Sequence, residues 1–125
     1  MNNSSYLGNH LLAEYNDCDA AILNSTVLLK NYMEEAIRLI DGTIIKSVFH
    51  EFSPQGVTGV VLLEESHFAI HTWPEYKYAA VDLFTCNIEM DFYKAYVFMA
   101  GSLKSQEYDY KSMKRGEGVL KNALK

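Results

Sequence analysis

Four strand-length segments between residues 43 and 86 limit the fold of this chain more than anything else in it. Segments 43–52, 57–64, 67–73 and 78–86 are rich in β-branched and aromatic residues, and the connections between them are too short for a helix. Parallel neighbours need a crossover of a dozen or more residues, so strands joined this closely run antiparallel. The expectation is a meander. Pro54 and Pro74, the chain's 2 prolines, fall at strand ends, where a missing N–H is tolerated.

The flanking segments supply the cover. HLLAEYN (10–16) reads as a first strand, closed by a polar turn at Asp17 to Asp19. From Ser25 onward Leu29, Met33, Ala36 and Ile40 recur at helical spacing, with Asn24 or Ser25 as cap and Gly42 as the stop. A second helix is expected from Asp91 to Lys104, turning Tyr93, Tyr96 or Val97, Ala100 and Leu103 toward the sheet. A short edge strand follows at Glu107 to Met113, then a mobile tail with Gly116 and Gly118 among lysines. Two helices on one face of an antiparallel sheet make an α+β two-layer sandwich, here a single domain over 1–125.

Composition narrows the function. A net charge of −5 speaks against a phosphate-backbone ligand, and no apolar run approaches a membrane span, so neither nucleic acid nor membrane is an expected partner. MNNSSYLGNH lacks the basic start and apolar segment of a signal peptide, which points to the cytoplasm, and Cys18 and Cys86 are then expected as free thiols.

The connection at Glu64-Glu65 is chemically odd. A two-residue hairpin loop normally wants Gly, Asn or Asp at positive φ, so Glu-Glu implies either a longer relaxed loop or a strained one. If the loop is two residues long, paired positions sum to 129 and Thr58 lies opposite His71. If the next hairpin centres on Tyr76, they sum to 152 and Ser66 faces Cys86. Strand alternation then puts His71 with Trp73 but opposite Ser66, unless a bulge near residue 68 intervenes.

ESHFAIHTWPEYKYAAVDLFTC resembles the corresponding stretch of the prokaryotic S-adenosylmethionine decarboxylases, ESH-x-x-IHTWPEY-G-YAA-x-D-x-FTCG. Weaker agreement runs through LGNHLLAEYNDCD and FHEFSPQGVTGVV, so the resemblance covers roughly residues 7 to 104. It implies a decarboxylase-like fold and a proenzyme that cuts itself between Glu65 and Ser66 into a β chain (1–65) and an α chain (66–125). The Ser66 hydroxyl attacks the Glu65 carbonyl to give an ester. Loss of the Ser66 α-proton then expels the carboxylate, and hydrolysis of the dehydroalanine leaves a pyruvoyl group and ammonia.

That ketone is the implied cofactor: it condenses with the amine of S-adenosylmethionine to a Schiff base and accepts electrons as carbon dioxide leaves. The product is the aminopropyl donor for spermidine synthesis. By resemblance, Cys86 donates the proton back to the substrate and His71 serves self-processing. Thr58 stands where the family usually has a serine, and Phe52, Trp73 and Glu75 line the nucleoside pocket. The resemblance also implies a homodimer of cleaved protomers, (αβ)2, with sites near the interface.

Taken singly these residues have plainer readings. Ser66 is a turn serine, His71 a hydrogen-bonded histidine, Cys86 an inert thiol, and Phe52 and Trp73 anchors of strand ends. His67, His71 and Cys86 lack the short spacing of a zinc site, so no metal is expected. Lys77 and Asn87, each where the family usually has glycine, together with Thr58, keep a pyruvoyl decarboxylase of arginine or ornithine open as another reading; an unprocessed regulatory paralogue is a second, against which the presence of Ser66, His71 and Cys86 speaks.

Overall fold

The computed structural model describes residues 6–119. Its elements are β1 (Gly8–Asn16), α1 (Ala20–Leu23), α2 (Thr26–Leu39), β2 (Ile44–Glu51), β3 (Val57–Leu63), β4 (Ser66–Trp73), a 3-10 turn (Pro74–Tyr76), β5 (Tyr78–Thr85), α3 (Phe92–Ser102) and β6 (Glu107–Arg115). The 6 strands form one sheet in the order β2-β3-β4-β5-β1-β6, antiparallel at every pairing. Strands β2 to β5 are the expected meander, and β1 closes the sheet between β5 and the edge strand β6. The α+β two-layer architecture holds.

The α2 start is capped by Ser25, whose Oγ accepts from the Leu28 N–H at 3.1 Å. At its end Asp41, not Gly42, takes the left-handed conformation (φ 60°). Gly42 is needed for space instead: a Cβ there would lie 2.6 Å from Ile37 Cγ2. α3 begins as expected, with the Asp91 carboxylate accepting from the Lys94 N–H. It buries Phe92, Ala95, Tyr96, Met99 and Ala100, whereas Tyr93 and Val97 face outward. Tyr93 lies beside Tyr96 and Tyr110 at the outer border of the core, with ring centroids 5.7 and 6.2 Å away.

Both long helices cover one face of the sheet. Leu29, Met33 and Ile37 of α2 are fully buried with Val61, Phe68, Ile70 and Leu83 of the sheet, and each such side chain removed from water contributes about 2 kcal/mol. Buried polar groups in this layer are paired. The Thr72 hydroxyl donates to the Leu23 carbonyl at 2.8 Å and accepts from the Val57 N–H at 2.9 Å, tying α1 to the β3–β4 hairpin. Tyr15 donates to the Tyr96 carbonyl at 2.8 Å, and burial pushes its hydroxyl pKa far up.

Among the described elements, no helix covers the opposite face. There Leu12, Val48, Val60, Leu62 and Met113 lie between 37% and 58% exposed, a band of apolar side chains running across the sheet. Cys18 is buried and Cys86 exposed, both as free thiols. No helix among the described residues is long and apolar enough to cross a membrane.

Two further expectations fail locally. β6 extends past the expected end at Met113 to Arg115, which pairs with Gly8. The β4–β5 hairpin pairs Ser66 with Thr85, not Cys86. The cause is the turn between Trp73 and Tyr78, in which Lys77 adopts the left-handed conformation (φ 53°), so the register sums to 151. Residues 120–125 of the expected tail lie outside the described residues.

Candidate active site

Glu64 and Glu65 form a two-residue connection between Leu63 and Ser66, and the register on its two sides pairs Leu62 with His67 and Thr58 with His71. Neither glutamate has positive φ. The turn is held from outside: the Glu64 N–H donates to the Thr43 carbonyl at 3.0 Å, and the Thr43 N–H to the Glu65 carboxylate at 3.2 Å.

The Glu65 carbonyl is the centre of this end of the sheet. It accepts from the Cys86 N–H at 3.1 Å and from the Cys86 thiol, also at 3.1 Å. Cys86 therefore reaches the peptide bond preceding Ser66 even though it lies one position beyond the strand pairing. Two donors on one carbonyl draw electron density from its carbon, which is the atom a neighbouring hydroxyl would attack.

A second group gathers at the other end of β4. Thr58 Oγ1 and His71 Nδ1 are 3.1 Å apart across the β3–β4 ladder. They line a cavity of about 250 Å³ together with Phe52, Trp73 and Glu75. Trp73 packs against Tyr78, and Phe52 against His50, at ring-centroid distances of 5.4 and 4.6 Å. The loop beneath is closed by Phe52 N–H to Gly56 carbonyl (2.8 Å) and Gly56 N–H to Asn24 (2.9 Å), with Gly56 at φ 104°.

One chain does not bring these two groups together. Ser66 and His71 are separated along an extended strand by about 17 Å. They also face opposite sides: Ser66 shares its parity with buried Phe68, Ile70 and Thr72, and His71 shares its own with exposed Trp73. β4 pairs without interruption on both sides, so no bulge relieves the opposition.

Sequence reasoning missed a third group, on the open face. His67 Nε2 lies 2.9 Å and His10 Nε2 3.2 Å from the same oxygen, Asp82 Oδ1, and an Arg115 Nη lies 3.1 Å from His10 Nδ1. Asp82 is paired in register with Leu12 and Ala69, so each of these contacts runs diagonally between neighbouring strands. The only early signal was parity, since His10, His67 and Asp82 alternate with core positions on their strands.

His67, His71 and Cys86 do not converge on a metal site. The described group whose ligand atoms lie within 4.8 Å of one another is His10, His67 and Asp82. Arginine only donates, so His10 Nδ1 must accept and its Nε2 carries the proton that goes to Asp82. A metal would need that Nε2 as a lone pair, and the hydrogen bonds of the cluster are complete without one.

Known proteins resemble this chain in sequence and in fold. The family model for S-adenosylmethionine decarboxylase matches residues 9–116. A Thermosipho africanus protein named S-adenosylmethionine decarboxylase proenzyme is 46% identical over 111 residues, covering 89% of this chain and 85% of its own. The Thermotoga maritima protein of the same name is 44% identical over 110 residues, covering 88% and 85%. The crystal structure of the adenosylmethionine decarboxylase from Aquifex aeolicus superposes with a TM-score of 0.81 at 35% identity, covering 90% of this chain and 93% of that one. With the family model matched over residues 9–116 and relatives of 44–46% identity over most of its length, the chain belongs to the S-adenosylmethionine decarboxylase family.

Proposed function

We propose that this chain is a proenzyme that cuts itself between Glu65 and Ser66 and then decarboxylates S-adenosylmethionine to the aminopropyl donor for spermidine synthesis. The observation that carries the reading is the Glu65 carbonyl held by both donors of Cys86 at 3.1 Å. Those donors stabilise the oxyanion formed when the Ser66 hydroxyl adds to the carbonyl carbon, after which the C–N bond breaks and an ester remains. A base then removes the Ser66 α-proton, the C–O bond breaks with Glu65 leaving as carboxylate, and hydrolysis of the dehydroalanine releases ammonia.

Ser66 is half-buried beside an exposed thiol, so its position suits conversion to a pyruvoyl group at the new α-chain terminus. That group supplies a carbonyl able to take up the substrate amine and withdraw electrons as carbon dioxide departs. The side chains do the rest. Cys86 holds a proton at Sγ for return to the substrate carbon. Phe52 and Trp73 offer faces to adenine and to the sulfonium, and Glu75 offers a carboxylate to ribose hydroxyls. Glu75 is the one acid in that cavity; arginine or ornithine could set a cation against the aromatic faces but has no ribose hydroxyls for the carboxylate and no adenine to stack.

The missing base comes from a second copy. The separation of about 17 Å along β4 puts the His71–Thr58 pair of one chain out of reach of its own Ser66. Two chains packed by their open faces about a two-fold axis would oppose the Ser66 end of one to the His71 end of the other, and would cover the apolar band of Leu12, Val48, Val60, Leu62 and Met113. The assembly is then (αβ)2 with each site shared.

Denaturing mass spectrometry of the purified chain tests the first step, with fragments 1–65 and 66–125 expected and the second lacking a free amine. Carbon dioxide release from carboxyl-labelled S-adenosylmethionine tests the second. A chain that stays intact on standing would sink self-processing, and release from arginine or ornithine alone would sink the substrate.

A further inference from the structure

His67 directly follows Ser66, and its position becomes precarious once the preceding bond is gone. In the uncut chain Ser66 is tethered through Glu65 and by its pairing with Thr85 on β5. On the β3 side the ladder ends at Leu62 and His67. Cutting at Glu65 therefore leaves residue 66 at a free strand end with ladder contacts on one side, and strand ends of that kind open locally. A group that must meet substrate in a fixed geometry cannot fray, because small misplacements cost rate steeply.

The open-face network supplies a hold at this point. His67 donates to Asp82 on β5, Asp82 also accepts from His10 on β1, and Arg115 on β6 donates to His10, so one chain of side chains runs from the cut site across four strands. The rings are fixed as well as bonded. Phe84 lies between the two imidazoles, 5.4 Å from His10 and 5.9 Å from His67, and its ring occupies the space over Gly8, where a Cβ would lie 2.6 Å from Phe84 Cε1. Both donors aim at one ionised oxygen, the strong kind of hydrogen bond.

Resting on the self-processing reading above, we propose that Asp82 and His67 are positioning residues that anchor the new α-chain end after cleavage, and that they matter more to the cut enzyme than to the proenzyme. The asymmetry separates this role from a general structural one. Before cleavage the covalent turn already holds Ser66, so loss of the clamp changes little. After cleavage the clamp is the remaining side-chain tether.

The test compares Asp82→Ala in the cleaved enzyme with Asp82→Ala in a chain made uncuttable by Ser66→Ala. Hydrogen exchange at residues 67–69 is expected to quicken about tenfold in the cut form and to stay unchanged in the uncut form, while kcat falls by about tenfold with KM changed less than about twofold. Asp82→Asn keeps an acceptor oxygen without its charge and restores both readouts in part. His67→Ala leaves the Asp82–His10–Arg115 bonds in place and gives the same asymmetric loss, should Asp82→Ala fold poorly. Equal loss of protection in cut and uncut chains, or unaltered exchange and kcat in the cut one, overturns the clamp alone. A wild-type chain that never splits at Glu65 overturns the self-processing reading and the clamp with it.

Discussion

If each site is built from two chains, two variants that cannot cut themselves should cut when mixed. Ser66→Ala lacks the nucleophile and His71→Ala lacks the base, so each alone should stay intact. In a mixed dimer one site joins the Ser66 of the His71→Ala chain to the His71 of the Ser66→Ala chain, and that site is whole. The basis is the separation of about 17 Å between Ser66 and His71 within one strand, against a hydrogen-bond reach of about 3 Å for a general base. Random pairing at equal expression gives each His71→Ala chain a Ser66→Ala partner about half the time, so about half of those chains should be cleaved and no Ser66→Ala chain should be. Co-expression followed by denaturing mass spectrometry reads this directly, because the α fragment carries the His71→Ala mass difference. Native mass spectrometry confirms that mixed dimers are present. Intact His71→Ala chains in a sample rich in mixed dimers would refute the shared site, as would cleavage of His71→Ala on its own.

Three further outcomes follow from particular residues. Cys86→Ala removes the thiol donor to the Glu65 carbonyl but leaves the main-chain donor at 3.1 Å; time-resolved mass spectrometry should show cleavage slowed by about tenfold to a hundredfold. Lys77→Gly relieves a left-handed residue at φ 53° with an exposed side chain; urea unfolding in a Ser66→Ala background should show a gain of about 1 kcal/mol. Burial pushes the Cys18 thiol up from 9.0 to about 11. The unfolded chain therefore loses this proton first as pH rises, so the contribution is fully present below pH 9.0 and is lost between there and about 11. Cys18→Ala should flatten that part of the stability profile, and iodoacetamide at neutral pH should label Cys86 and spare Cys18.

Local pattern made the meander legible, because alternation and short connections depend on neighbours in the chain. The β3–β4 register followed from a two-residue turn, and Thr58 does meet His71. The β4–β5 register slipped by one because it depends on Lys77 taking a left-handed conformation, and lysine gives no sign of that. Tyr93 was expected inward where Phe92 is buried, since both satisfy helical spacing within one position. The His10–Asp82–Arg115 network was out of reach, its partners being 72 and 105 residues apart and joined only once β1 inserts between β5 and β6.

The Glu-Glu turn posed a choice between a relaxed loop and stored strain, and the structure points to a different source of reactivity. With no positive φ at Glu64 or Glu65, the backbone there holds no left-handed residue from which strain could be released. What bears on the Glu65–Ser66 bond is the pair of donors on its carbonyl, supplied by the residue just past β5 and brought there by the β4–β5 pairing. Polarisation thus waits on folding. On the proposed shared site, proton removal would wait on a second chain, because the His71 of the same chain sits at the far end of β4 on the other face. A bond activated this way stays intact in the unfolded and lone chain and becomes labile in the assembled one, which is the order a proenzyme requires if its new terminus is to appear inside a site already built to hold it.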